Sequence, residues 1–328
     1  MKIGKIPETV LKRSVFKQIR HRRKEVLVRP GVGEDCAMLE VGPDEVLVMS
    51  TDPITGTVNE IGTFAVHITA NDIASSGADP IGILLTIILP ELTSEQELKV
   101  IMKDVEAVCE ELDMEIMGGH TEVSKAVNQP LLSVTGVGKI KKSQMIKTAG
   151  LIPGQELVLT KWAGLEGTAI IARDKEEQLR QRLNQDLIEK AQNLFQYISV
   201  VKEARIAREA GVTSMHDVTE GGIFGALWEV AAASGVGIEV DLKKIPIKQE
   251  TVEICELFDL NPYMLMSSGS MLISTNNGNK LVEALSKEGI SSSIIGKVIE
   301  GNDRIIINED ERRYLEPPKA DELYKAIH

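Results

Sequence analysis

Gly31-Val32-Gly33-Glu34-Asp35-Cys36-Ala37-Met38 sets two glycines ahead of two adjacent carboxylates and then returns to apolar residues. The glycines bend the chain. Neighbouring carboxylates repel, and either a solvated loop or a bound cation would accommodate them. The choice between the two rests on where the remaining acidic residues fall.

Working outward, Val46 to Asp52 reads as a buried strand that ends on a carboxylate, and residues 62–78 read as a helix whose core face is interrupted by Asn71 and Asp72. Ile83 to Leu89 is a continuous run of β-branched residues and leucines between Gly82 and Pro90, again a buried strand. Ser94 with Glu97 makes a capping box that opens an amphipathic helix to about Leu112, with Cys109 on its core face. A strand leads into Gly118-Gly119-His120-Thr121-Glu122, read as a glycine turn followed by a carboxylate, and Leu131 to Gly138 is its partner. Lysines, Gly150 and Pro153-Gly154 break the pattern over 139–156, so the chain divides into domains at 1–148 and 149–328. Beyond the break come a strand at Glu156–Thr160, a charged helical stretch at 173–197 and a helix near 199–210. Met215-His216-Asp217-Val218-Thr219-Glu220-Gly221-Gly222 then opens a helix at 223–234. Both halves mix short strands and helices, the α+β class.

The composition narrows the function. The 328 residues are 43% hydrophobic with a formal charge of −12, which argues against a nucleic-acid surface or an anionic membrane. Arg20-His21-Arg22-Arg23-Lys24 is the local exception, read as the solvated end of a helix, with an anion contact as the alternative. Three distant cysteines form no disulfide or thiolate-metal pattern, and no apolar leader or spanning segment is seen, so a cytoplasmic protein is expected. His67, His120 and His216 lack zinc spacing; His120 and His216, beside acidic turn residues, suit substrate contact.

Asp35, Asp52, Asp72, Glu122, Asp217 and Glu220 all sit at turns, element ends or beside a polar interruption. Each alone reads as a cap or loop residue. Gathered, they would need counter-cations, and Mg²⁺ with its hard oxygen ligands suits them. Gly31, Gly33, Gly118, Gly119, Gly221 and Gly222 would expose backbone N–H groups to phosphates. Neither a Walker A sequence nor a G-x-G-x-x-G opening a helix is present.

Five segments occur in the order seen in the AIR-synthase-related superfamily, which includes aminoimidazole ribonucleotide synthetase, thiamine-monophosphate kinase, selenophosphate synthetase and HypE. They are GVGEDCAM (31–38), STDPIT (50–55), ANDIASSGADP (70–80), GGHTEV (118–123) and MHDVTEGG (215–222). The chain resembles this family, and the last two segments are most similar to the hydrogenase-maturation HypE branch. The resemblance implies a two-domain, PurM-like α+β fold whose N-terminal domain forms a barrel-like sheet across a homodimer, with ATP and Mg²⁺ between the domains. It implies Asp35, Asp52, Asp72, Glu122 and Asp217 as metal carboxylates. Gly33, Asn71, Gly118, Gly119, Gly221 and Gly222 would join Asp35, Asp52 and Asp72 around the nucleotide, and Asp217, Glu220 and His120 would serve the chemistry. The implied reaction is ATP-dependent attack by a carbonyl, amide or phosphate oxygen on the γ-phosphate; Lys161 is a weak candidate for the cation beside it.

The sequence departs from the branch in places. HypE ends in a cysteine, whereas this sequence ends Tyr324-Lys325-Ala326-Ile327-His328 and its last cysteine is Cys255, so carbamoyl chemistry on its own tail is not expected. His120 stands where the thiamine-monophosphate kinase pattern has aspartate, and no reactive N-terminal cysteine segment is seen. Two readings follow: a Mg–ATP-dependent enzyme acting on a small molecule or partner protein, or a nucleotide-dependent assembly protein without turnover.

Overall fold

The structure, a computed structural model, describes residues 8–19, 24–55, 61–317 and 320–327. The basic segment Arg20-His21-Arg22-Arg23 lies outside the described residues, as do the first seven residues and His328. The chain forms two compact units, both mixed α+β. One comprises the described residues of Arg22–Pro30 with Asp35–Met145; the other comprises those of Met1–His21 with Gly31–Glu34 and Ile146–His328. The GVGEDCAM segment therefore passes from one unit to the other between Glu34 and Asp35.

The first unit holds a six-stranded sheet. Its strands are β1 (Val26–Val28), β2 (Ala37–Glu40), β3 (Glu45–Thr55), β4 (Asp79–Leu89), β5 (Glu115–Val123) and β6 (Leu131–Lys141), ordered β1-β2-β3-β6-β4-β5. Every pairing is antiparallel except β4 with β5. Alternation along β3 buries Val46, Val48 and Ser50 on one face. The strand does not stop at Asp52, as the sequence reading has it, but continues through Pro53 to Thr55. Proline is tolerated because β2 pairs only as far as Met49, so beyond that point β3 has a neighbour on one side alone.

Helix Ile61–Ser75 is buried along nearly its whole length, and two β6 glycines let it approach the sheet. A Cβ on Gly136 would lie 2.4 Å from Thr69 Cγ2, and one on Gly138 would lie 2.3 Å from Ile73 Cγ2. Helix Glu95–Leu112 begins at the expected capping box: Glu97 N–H donates to Ser94 Oγ at 3.2 Å, and Ser94 N–H donates to Glu97 Oε2 at 2.7 Å. Its buried face carries Ile101, Val105, Val108 and Cys109, whose thiol burial pushes up to about 11. Gly118 and Gly119 correct a second expectation. They form no turn but extended backbone within β5, and a Cβ on Gly119 would lie 1.9 Å from the Leu85 carbonyl oxygen. Glycine is required there by the close approach of β4, not by a bend.

The second unit holds seven strands: β7 (Glu156–Thr160), β8 (Ser214–Asp217), β9 (Gly237–Asp241), β10 (Met271–Thr275), β11 (Ser292–Ile299), β12 (Arg304–Asn308) and β13 (Glu311–Tyr314). Their order is β13-β12-β9-β11-β7-β10-β8, with β12 and β9 the parallel pair. Helix Gly222–Ser234 lays Ile223, Leu227, Val230 and Ala231 into a core shared with Leu157, Leu159, Ile238, Val240 and Leu272. The charged stretch 173–197 is not one helix. It breaks into Leu165–Asp174, Glu176–Leu179 and Gln185–Gln192, followed by a 3₁₀ turn at Asn193–Tyr197. Lys175 leaves helical geometry, and Asn184 restarts the chain as an N-cap that accepts from Leu187 N–H at 2.8 Å. Among the described residues no helix is long and apolar enough to cross a membrane.

Candidate functional site

In the first unit, Ser50 brings two carboxylates together. Ser50 and Asp52 share a face of β3 through the two-residue strand period. The Ser50 hydroxyl lies 3.3 Å from Asp52 Oδ2 and makes a short hydrogen bond to Asp72 Oδ2. A hydroxyl carries one proton, so it serves one of these carboxylates at a time. Asp72 is buried on helix Ile61–Ser75 beside the fully buried Asn71. Cys36, next in sequence to Asp35, donates its thiol to the Asp72 carbonyl oxygen at 3.1 Å and ties the start of β2 to the same helix. The corner thus brings Ser50 and Asp52 of β3 to Asp72 of helix Ile61–Ser75, with Asp35 directly before the cysteine that bonds this helix. Carboxylate and hydroxyl oxygens are hard donors, and the Cys36 thiol is turned to a backbone carbonyl, so the donor set fits Mg²⁺ and not a thiophilic metal.

Ser50 is absent from the residues singled out in the sequence. Its signal was present: a serine at an inward position of an otherwise apolar strand, two residues before an aspartate. Glu122 and His120 stand elsewhere. They share a face of β5, where His120 Nε2 lies 3.2 Å from Glu122 Oε2 with both side chains exposed. Glu122 pairs across to Ile88, Ile88 to Leu131 and Leu131 to Thr55, so three strand spacings, about 14 Å, separate it from β3. Within one chain Glu122 does not join Asp52 and Asp72.

In the second unit, Asp217 ends β8 opposite Met271 and is buried. The preceding His216 lies with Nε2 3.1 Å from Glu229 Oε2 on helix Gly222–Ser234, both residues buried. Gly33, in the left-handed region at φ +71°, sits against that helix; a Cβ there would lie 3.3 Å from Glu229 Cβ. Gly221 and Gly222 differ from the phosphate-facing turn expected of them. Gly221 N–H donates to Asp321 Oδ2 at 2.6 Å, and Gly222 N–H donates to the Thr219 carbonyl oxygen at 3.1 Å. Gly222 is also confined by packing, since a Cβ would meet the Tyr263 and Leu265 carbonyl oxygens at 2.7 Å. Lys161 is likewise engaged. Its buried ammonium donates to the carbonyl oxygens of Tyr197 (2.9 Å), Ser199 (2.6 Å) and Gly269 (2.8 Å) and pairs with Glu203. It is a structural cation, not a phosphate ligand.

Around Gly221 three acids meet. Asp321 accepts from the backbone N–H groups of Gly221, Met266 and Leu323, and Glu166 accepts from Ser268 N–H at 3.2 Å. Glu220 is hydrogen-bonded to Tyr324, whose phenol is pushed up to about 12, chiefly by burial. Burial, opposed by hydrogen bonds to Ser268 and reinforced by the charges of Asp321 and Glu220, holds the Glu166 carboxyl at about 7. Burial also raises Asp321 to about 6. The folded chain therefore binds more protons here than the unfolded chain, and the cluster's contribution to stability falls as pH rises from about 4 to 7. The Glu166 part of that decline is on the order of 3 kcal/mol at most. Denaturant melts across this range should show a shallower loss in Glu166→Gln than in the parent; parallel curves would contradict the assignment.

Residues 33–140 match the family described as AIR synthase related protein, N-terminal domain, and residues 153–308 match its C-terminal domain. A putative hydrogenase expression/formation protein of Methanocaldococcus jannaschii is 26% identical over 334 residues, covering 98% of this chain and 96% of that one. Carbamoyl dehydratase HypE of Cupriavidus necator is 28% identical over 279 residues, covering 82% and 77%. The crystal structure of a hydrogenase maturation protein HypE in complex with ATP superposes with a TM-score of 0.72 at 19% identity, covering 97% of this chain and 96% of that one.

Proposed function

Because this chain belongs to the AIR synthase related family in both its N-terminal and C-terminal parts, we propose that it is a HypE-like, Mg²⁺- and ATP-dependent enzyme. In this reading it transfers a phosphoryl group to, or drives dehydration at, an amide, carbamoyl or phosphate oxygen of its acceptor. The observation that carries the reading is the Ser50 hydroxyl shared between Asp52 and Asp72. Two carboxylates held at one hydroxyl repel each other, and a bound divalent cation would relieve that repulsion. The relative named carbamoyl dehydratase and the HypE structure named as an ATP complex support the same chemistry.

Asp35, Asp52 and Asp72 would hold the ion, with Asn71 as an amide partner for the phosphates. Mg²⁺ held there would supply charge neutralisation for the transferring phosphoryl group. The protein's share is positioning. The helix fixes Asp72 and Asn71, Ser50 holds the Asp72 carboxylate beside Asp52, and Cys36 keeps the Asp35 turn on the helix. Incubation with Mg–ATP and small amide, carbamoyl and phosphate acceptors should yield acceptor-stimulated ADP, followed by chromatography. Binding without ADP over hours would instead favour the assembly-protein reading.

A homodimer completes the proposal. β5 is a sheet edge, and Leu84, Met117 and Val123 on β4 and β5 are 43%, 44% and 60% exposed. An edge with exposed apolar side chains is stabilised by a second copy. Light scattering at micromolar concentration should report the dimer mass; a monomer mass would contradict it.

A further inference from the structure

The second unit contains a cavity of about 230 Å³ that none of this chemistry uses. It is bounded by the first turn of helix Gly222–Ser234, the turn at Asn261–Met264, and the β12–β13 hairpin with the residues that follow it. Its apolar wall includes Phe224, whose ring stacks on Tyr263 at 5.2 Å between centroids and 11° between planes. Gly221 and Gly225 line the helix side, where the absence of side chains leaves room.

Two donors face this space. Arg313 places its guanidinium carbon 5.8 Å from the Phe224 centroid and has no carboxylate partner among the described residues, whereas the adjacent Arg312 is paired with Glu239 at 2.9 Å. Asn261 uses its side-chain oxygen to accept from Tyr263 N–H at 3.1 Å, which leaves its amide NH₂ to donate. The backbone donors nearby are already taken: Gly221 N–H by Asp321, and Gly225 N–H by the Gly221 carbonyl oxygen. Exposed Arg313 forms no ion pair among the described residues, although the chain carries a net charge of −12.

We propose that this cavity is a binding site for a small monocyclic carboxylate. The guanidinium fork and the Asn261 amide would receive the two carboxylate oxygens, and the ring would lie along Phe224. The size agrees, since a cavity of about 150 Å³ holds a benzene ring and the additional volume accommodates one carboxylate. Charge sets the ligand's valence. Arg313 is the one cationic side chain among the described lining residues, and a single guanidinium fork matches one carboxylate better than a phosphate dianion.

Benzoate is the probe, titrated by calorimetry and by saturation-transfer NMR against the full chain. Benzoate should bind and benzamide should bind at least about tenfold more weakly, because the charge-assisted pair is lost. Arg313→Gln should weaken benzoate by a similar factor while leaving the melting temperature and Mg–ATP affinity in place. Inorganic phosphate should not compete. Equal binding of benzamide, unchanged benzoate affinity in Arg313→Gln, displacement by phosphate, or absence of benzoate binding at millimolar concentration would each overturn the assignment.

Discussion

Replacing Asp52 and Asp72 together by Asn should lower Mg–ATP affinity at least about a hundredfold, which is close to 3 kcal/mol of binding free energy. The substitution is nearly isosteric, and the amide oxygen still accepts from Ser50, so the corner keeps its shape while losing two anionic ligands. Mg²⁺ binds through oxygen charge, and amide oxygens do not replace it at this density. Stability should not fall in parallel. Two carboxylates at one buried hydroxyl repel, and their removal relieves the folded state. Calorimetric titration together with a thermal melt reads both quantities. Intact affinity would remove the carboxylates from the nucleotide site, and a collapsed melting temperature would make them structural.

Lys161→Met should cost about 3–5 kcal/mol of folding stability, because it leaves Glu203 buried without its cation. The side chains of Lys161 and Glu203 are 8% and 3% exposed, and three carbonyl oxygens would lose their donor as well. Desolvation holds the Lys161 ammonium below the usual lysine range, with Glu203 acting in the opposite sense. Removing both charges in Lys161→Met/Glu203→Leu should recover part of the loss, since the unpaired buried carboxylate is gone. Urea unfolding measures the cycle. A cost below about 1 kcal/mol, the range of exposed pairs, would contradict the structural role. Below its melting temperature the single variant should bind Mg–ATP as the parent does, because the ammonium is committed inside the second unit.

Much of this architecture is legible in the sequence where one physical rule dominates. Ile83 to Leu89 is a strand because a continuous run of β-branched residues and leucines between Gly82 and Pro90 has few other uses. Ser94 and Glu97 mark a helix start because the reciprocal bonds are local. The reading weakens where a residue type serves two ends. Gly118-Gly119 has turn composition, yet its glycines answer to a neighbouring strand that arrives from Leu85, 34 positions earlier in the chain. Gly221-Gly222 looks like a phosphate turn, but a carboxylate from Asp321 takes its first N–H. Lys161 has the charge of a phosphate ligand and the surroundings of a buried ion pair; spacing alone does not distinguish them. The aspartates were visible singly, whereas the serine that joins two of them became visible only when β3 was set against helix Ile61–Ser75.

The most direct measurement is a calorimetric titration of the wild-type chain with ATP, with and without Mg²⁺. Saturable binding that requires the ion, and is restored by Mn²⁺ after chelation, is the predicted result. Equal binding in excess chelator, or none at millimolar ATP and Mg²⁺, would contradict a metal–nucleotide site at Asp35, Asp52 and Asp72.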